Sequence, residues 1–343
     1  MRQKITIEDV SRAAEVSTAT VSLALNGIPG VSAKTREKIQ KIAKRLGYFP
    51  NEIARSLVTR RTSVIGLILP SVVNPYFAQV AVAVERALRA RTYNLVVANT
   101  DEDPAREEDA IRLMVGRRVD GLIVTSCAAD GTVLSSILGL EFPTVLLGRT
   151  LDGYDTEFLV IDHESGTREA VSHLIEHGRR RIGIVTGPLR LSDARERLRG
   201  YENALKTARI GRDDALIFEG DFFESSGAAG IEALLDLPKP PDAVFVSNGM
   251  MLRGALRAMS RRGVIIPDDI AIIANDHSDW VDLLPVPITT VEQPTAMMGT
   301  FASDLLLRRI DGSADARHQR IVLKPSLVVR RSCGLHKQQE VAA

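Results

Sequence analysis

From Ser63 onward, short runs rich in Val, Ile and Leu alternate with helix-length stretches, and nothing else in the chain constrains its fold so tightly. The runs are Val64–Leu69, Leu95–Ala98, Gly121–Thr125, Thr144–Leu147, Phe158–Ile161, Ile182–Thr186, Ala243–Val246 and Ile270–Ile273. Stretches such as Phe77–Ala90 and Gly166–His177 read as helices between them. A strand that is apolar on both faces needs helices on both sides, and a βαβ order makes its neighbours parallel. The pattern predicts doubly wound parallel sheets, with ligand sites at the carboxyl ends of the strands. Two such sets predict two lobes. Aromatic residues make up only 4% of the chain, so the cores must be largely aliphatic.

The first fifty residues follow a different rule. Residues 6–13 read as a short helix that Thr6 can cap, with Glu8 and Asp9 in the first turn where the helix dipole favours them. Ala14-Glu15-Val16 forms a turn, and Ser17 caps a second helix running through Asn26. Ile7, Val10, Ala14, Val16, Val21 and Leu25 supply a small shared core. This is the pattern of a helix-turn-helix, whose second helix enters the DNA major groove. That helix presents Thr18, Ala19, Thr20, Ser22 and Leu23, hydroxyls and small apolar groups that suit base edges, phosphates and thymine methyls. On the local pattern alone, an ordinary helical hairpin with a Ser/Thr-rich face fits as well. A third helix starts at Ser32, buries Ile39, Ile42, Ala43 and Leu46, and ends at Gly47. Beyond Pro50, Asn51–Leu57 could make two turns of helix, too short to stand alone in water, and Leu57 is an isolated large apolar group there.

Charge divides the chain in the same place. Residues 1–62 hold twelve Lys or Arg against five Asp or Glu, a balance of +7. The remainder holds 32 basic and 38 acidic residues, a balance of −6. A basic head on an acidic body points to a polyanionic partner for the head.

Other classes are disfavoured. Two cysteines, Cys127 and Cys333, make neither a disulfide framework nor a metal site, and reduced thiols in a cytoplasmic protein are expected. Residues 1–15 carry six charges and no apolar run, unlike a secretory leader. No apolar stretch reaches the ~18 residues that cross a bilayer. The chain lacks a Gly-x-Ser-x-Gly elbow, a Walker phosphate loop and a His-Glu-x-x-His site, so no enzyme activity, catalytic residue, cofactor or metal is expected.

The segment from Thr6-Ile7-Glu8-Asp9-Val10-Ser11-Arg12-Ala13-Ala14 through Asn26 closely resembles the head of the lactose-repressor (LacI/GalR) family. So does Val31-Ser32-Ala33-Lys34-Thr35-Arg36, and Gly47–Asn51 followed by Ala54-Arg55-Ser56-Leu57 resembles its hinge. The resemblance continues almost to the C-terminus. It implies DNA contacts from Thr6, Ser17, Thr18, Ala19, Thr20, Ser22, Leu23 and Asn26, and from Ala54, Arg55 and Leu57 in a hinge that folds on the operator. Leu57 would be the wedge in a minor-groove step. It also implies a large domain of the periplasmic sugar-binding type, with chain crossings between its lobes near residues 160, 290 and 323.

Effector candidates then fall at strand ends: Tyr76 and Phe77 after the first strand, Asp101 after the second, Arg149 after the fourth. Arg197 opens Arg197-Leu198-Arg199-Gly200-Tyr201, a motif whose first Arg usually holds the effector in the family. Phe222, Asn248, Asp276 and Trp280 complete the set. Carboxylates, amides and Arg with aromatic walls suit a polyhydroxylated ligand. Each has a plainer alternative: a solvated cap for Asp101, a surface ion pair for Arg149, core packing for Phe77, Phe222 and Trp280. Three departures from the family stand out. Glu15 replaces a frequent glycine at the turn, Gly249 removes a usual acid, and Ala274-Asn275-Asp276-His277 replaces a commoner Gly-aromatic-Asp-Asp.

The expected organisation is an all-α helix-turn-helix head (1–50), a hinge (51–62), an α/β two-lobed domain of doubly wound parallel sheets (63–330) and a tail (331–343). The expected function is a cytoplasmic repressor of carbohydrate-related genes controlled by a sugar, with a nucleobase effector or a co-repressor as alternatives. The expected partners are double-stranded DNA bearing a pseudo-palindromic operator, a small-molecule effector and a second copy of the chain, with no membrane. One head offers little area for tight specific binding, which is why two are expected. The tail contains no leucine heptads, which argues against a coiled-coil tetramer.

Overall fold

The computed structural model describes residues 5–26, 29–48, 61–139, 142–313 and 318–334. The chain divides into two compact units, Met1–Thr62 and Ser63–Ala343.

Among its described residues the first unit holds three helices: α1 (Ile7–Ala14), α2 (Thr18–Leu25) and α3 (Ala33–Leu46). Thr6 starts α1 by giving its N–H and hydroxyl to Asp9 at 2.9 and 3.0 Å. Those bonds hold the Asp9 carboxyl below its ordinary pKa. Glu15 ends α1 at φ 57°, ψ 43°, in the left-handed region where glycine is favoured. Ser17 and Ser32 cap α2 and α3 by accepting from Thr20 N and Thr35 N. Lys38 on α3 reaches back to the Ala14 carbonyl at 2.9 Å and so ties the end of α1 to α3. Val10, Ala14, Val21, Ala24, Ile39 and Ala43 form the buried core. Six mostly small side chains are enough for a short helical unit and leave little reserve.

The second unit is built from two six-stranded sheets. In the first lobe, β1 (Val64–Leu69), β2 (Asn94–Asn99), β3 (Gly121–Val124), β4 (Thr144–Leu147) and β5 (Glu157–Ile161) alternate with α4 (Pro75–Arg89), α5 (Pro104–Gly116) and α6 (Thr132–Leu138). The chain crosses at Asp162 into the second lobe. There α7 (His163–Glu176), β6 (Ile182–Thr186), α8 (Ser192–Thr207), β7 (Ile217–Glu219), α9 (Glu224–Leu235), β8 (Ala243–Val246), α10 (Gly249–Arg261), β9 (Ala271–Asn275) and β10 (Thr289–Glu292) follow. It returns at residues 293–294 to place α11 (Thr295–Ile310) and β11 (Arg320–Leu323) in the first lobe. A last crossing at 324–325 leads to β12 (Ser326–Val328) in the second. The strand orders are β11-β5-β4-β3-β1-β2 and β12-β10-β9-β8-β6-β7. Every pairing is parallel except β10 with β12. The crossings lie within a few residues of the expected positions.

The central strands are apolar on both faces and buried, as their sequences predict. The strands missed by apolar pattern are β7, β10, β11 and β12. Their sequences, such as Ile217-Phe218-Glu219 and Ser326-Leu327-Val328, are short and partly polar. Regular structure continues a few residues past the expected boundary at residue 330. Arg331–Cys333 forms a 3₁₀ turn with Ser332 and Cys333 fully buried. Ser332 Oγ donates to the Ile272 carbonyl at 2.6 Å and accepts from Thr289 N at 2.8 Å. One hydroxyl thus satisfies two buried backbone groups, which fixes residues 331–334 in the second lobe.

Candidate functional site

Two places gather the candidate functional side chains. On α2, Ser17, Thr18 and Ala19 are exposed, and Thr20, Ser22, Leu23 and Asn26 are half-buried. Not all hydroxyls there are uncommitted. Ser17 and Thr20 bond each other at 2.9 Å as part of the cap, and Asn26 Nδ2 donates to Ser22 Oγ at 3.3 Å. Thr6 is exposed at the start of α1. Ala54, Arg55 and Leu57 lie outside the described residues.

The second place is a cleft between the lobes, at the carboxyl ends of both sheets. The first lobe contributes Ser71, Asn74, Tyr76, Phe77, Glu102, Thr125, Gly148 and Arg149. The second contributes His163, Asp193, Arg197, Phe222, Phe223, Asn248, Met250 and Asp276. Asn74 caps α4 through Tyr76 N at 3.1 Å, which turns Tyr76 and Phe77 into the cleft. Burial raises the Tyr76 phenol above its ordinary pKa, and the Asp276 carboxylate adds to this.

The two arginines differ in how they are held. Both Nη atoms of Arg149 donate to the Glu102 carboxylate at 2.8 Å, and Nη1 also donates to the Ser126 carbonyl at 2.9 Å. Its Nε lies 3.3 Å from Asp193 Oδ1. Burial by itself would lower the Arg149 pKa, but the Asp193 and Glu102 charges more than reverse this. Arg197 is also 4% exposed, yet its contacts are long. Nη1 is 3.5 Å from Asp193 Oδ2 and Nη2 is 3.5 Å from His163 Nδ1. Its buried Nε has no hydrogen-bond partner among the described residues. Burial and the Arg197 charge hold His163 well below its ordinary pKa, so the ring is neutral at pH 7. Burial alone would raise the Asp193 pKa, and Arg149 and Arg197 bring it below the ordinary value.

Both guanidinium groups lie over the Phe222 ring, at 5.4 and 5.7 Å from its centroid. That ring rests on Gly187, where a Cβ would come within 2.1 Å of it. Asn248 caps α10 by accepting from Met251 N at 2.7 Å and donates to the Phe222 carbonyl at 3.0 Å. Asp276 accepts from Asn275 Nδ2 at 2.6 Å, from Gln293 Nε2 at 2.5 Å and from the Gly249 N–H. Burial pushes its pKa up to about 6, against the pull of Arg197.

Seven of the nine expected effector residues therefore line one cleft, and two do not. Asp101 is exposed and bonded to Arg106 and Asn99. Asp101 and Glu102 both have positive φ, 53° and 57°, and this turn brings Glu102 to the cleft instead. Trp280 sits in the Asp279–Leu283 3₁₀ turn and packs on the second lobe's core. Sequence reading missed Glu102, His163 and Asp193. Asp193 had a readable signal, four residues before Arg197 on one helix. His163 follows the end of β5 directly at the lobe crossing.

Residues 6–51 match the description "Bacterial regulatory proteins, lacI family", and residues 171–333 match "Periplasmic binding protein-like domain". The ribose operon repressor of Haemophilus influenzae is 35% identical over 327 residues, covering 95% of this chain and 98% of that protein. The chain belongs to the LacI family of bacterial regulatory proteins. Within the LacI family, a solved complex of the transcriptional regulator CelR with cellobiose is 34% identical. It covers 96% of this chain and 99% of its own, at a TM-score of 0.73. The lac repressor dimer bound to operator and the anti-inducer ONPF is 28% identical, covering 96% and 99%, at a TM-score of 0.85. This LacI-family member is a DNA-binding transcriptional repressor, not an enzyme. Among the described residues no helix is long and apolar enough to cross a membrane.

Proposed function

We propose that this repressor controls carbohydrate-related genes by binding a pseudo-palindromic operator as a homodimer and answering to an uncharged sugar held between its lobes. The observation that carries the effector class is Arg197, buried with an unpartnered Nε in the same cleft as the Asp276 carboxyl and the Phe222 ring. A sugar offers oxygens to the first, hydroxyl protons to the second and an apolar face to the third. The charge inventory favours a neutral ligand. Glu102, Asp193 and Asp276 face two guanidinium groups, and both Nη atoms of Arg149 already serve Glu102. A phosphate or carboxylate would find no unneutralised cation there. The cellobiose bound by CelR and the ribose operon named for the Haemophilus repressor agree with this class.

In the head, Thr18, Ala19, Thr20 and Leu23 read base edges while Thr6, Ser17, Ser22 and Asn26 meet phosphates or bases, with Ala54, Arg55 and Leu57 engaging the minor groove. The test is a thermal-shift screen of the full chain with ribose, cellobiose and other uncharged sugars, their phosphates, and hypoxanthine and guanine. A ligand at a hundred times its Kd stabilises the folded state by about 2.7 kcal/mol. An uncharged sugar is expected to give that rise. Stabilisation by a nucleobase or a sugar phosphate alone would overturn the reading.

A further inference from the structure

The connection from β6 into α8 crosses the cleft and meets the first lobe three times. Arg190 Nη1 donates to the Cys127 carbonyl at 2.8 Å. Ser192 Oγ accepts from Thr150 N at 2.9 Å. Asp193 Oδ1 lies 3.3 Å from Arg149 Nε. Arg190 and Ser192 are not among the residues that line the cleft. Both sides of the contact are braced. Arg195 Nη1 donates to the Arg190 carbonyl at 2.7 Å. On the receiving side, Glu107 of α5 is 1% exposed and accepts from Ser126 Oγ and Cys127 N, each at 2.6 Å. Glu107 thereby fixes a turn whose successive carbonyls serve Arg149, in the cleft, and Arg190, from the opposite lobe.

We propose that Arg190–Asp193 is a clasp between the lobes, and that Arg190 sets effector affinity without touching the effector. With the lobes apart, the Arg190 guanidinium, the Cys127 carbonyl, the Thr150 N–H and the Ser192 hydroxyl can all bond water. These hydrogen bonds therefore count only toward the closed arrangement. A ligand that contacts both lobes binds that arrangement, so its apparent affinity scales with the closed population. This last consequence rests on the cleft being the effector site; the clasp itself does not.

Arg190 is exposed, which places its bond at the weaker end, and its loss lowers the closure equilibrium about two- to tenfold. The test is hydrogen–deuterium exchange on the full chain without any sugar, comparing Arg190→Ala with the parent. The Thr150 amide, at the other end of the clasp, reports closure, and the amides of β1 report the fold. Thr150 exchange is expected to rise about two- to tenfold with β1 unchanged. Arg190→Lys, which keeps a donor of shorter reach, is expected to fall between the two. An unchanged Thr150 rate in Arg190→Ala, or an equal rise in β1, would overturn the proposal. No sugar enters this measurement, so its failure and that of the sugar screen are separate results.

Discussion

The head and the large domain put their functional groups in opposite environments. On α2 the candidate contacts are exposed or half-buried, and the helix stands on a core of six mostly small side chains. In the cleft the candidates are almost wholly buried, and charges are held by other charges. Exposure makes a contact residue nearly independent of stability, except where it also caps a helix. Burial ties binding to stability, and the two arginines show that the tie varies in strength. Both Nη atoms of Arg149 are committed to Glu102 at 2.8 Å, although its buried Nε, like that of Arg197, has no hydrogen-bond partner among the described residues. Arg197 makes only 3.5 Å contacts through its Nη atoms, which leaves it the less committed of the two and the one the proposed sugar would engage.

The sharpest test of that contrast is Arg149→Ala. It leaves Glu102 and Asp193 buried without their shared cation, a loss that typically costs about 3–5 kcal/mol. A large fall in the melting transition of residues 63–343 is expected by calorimetry. A fall no larger than that of Arg197→Ala would erase the distinction.

Arg197→Ala and Asp276→Ala come next. Each removes a charged hydrogen-bond partner, with an expected loss of about 1.5–3 kcal/mol in sugar binding, roughly ten- to a hundredfold. Operator affinity without sugar should be unchanged. Titrating sugar into each mutant–operator complex measures this, and a normal response in both would move the effector site elsewhere.

Asp276 also predicts a pH dependence. Its folded-state pKa of about 6 lies above the ordinary 3.8. Ionisation therefore costs the folded state, whose stability from this group falls as pH rises from about 4 through 6. Sugar binding to the ionised form runs the other way: affinity weakens below pH 6, approaching tenfold per unit, and levels off above pH 7. Asp276→Asn should flatten the isothermal-titration profile; a slope that survives the substitution would assign it to another group.

The smallest effects belong to the head. Ser17→Ala removes the cap of α2 and should cost about 1 kcal/mol in the head's own transition, leaving the large domain's untouched. Glu15→Gly relieves a left-handed backbone and should raise head stability by up to about 1 kcal/mol. A shift of the large domain's transition in either variant would show that the two units melt together.

How legible these regions were follows from the same contrast. The head is read by helical period and caps, local signals that sequence carries directly, and its helices fall within one residue of expectation. The central strands were legible because burial on both faces leaves little but Val, Ile, Leu and Ala. The edge strands β7, β11 and β12 were not, since a partly solvated edge tolerates Arg, Glu and Ser. Strand ends pointed to Arg149, Asn248 and Asp276, and the family motif to Arg197, all of which line the cleft. They could not choose between Asp101 and Glu102, because that choice was made by two consecutive left-handed residues. Nor could they show that Arg149 would be consumed by Glu102, a partner 47 residues away.

The three crossings between lobes have a consequence for synthesis. The first lobe's sheet is complete only when β11 pairs with β5, and its core includes Met298, Ala302 and Leu306 of α11. A ribosome that has finished Ile161 has made five of that lobe's six strands, yet the closing pieces are still more than 130 residues away. The nascent first lobe must wait, with an apolar face open, while nearly all of the second lobe is translated. Only the head is contiguous enough to fold as it emerges. A nonsense mutation after the head and before β11 therefore leaves the cell a chain that can carry a finished DNA-reading unit without a finished sensor.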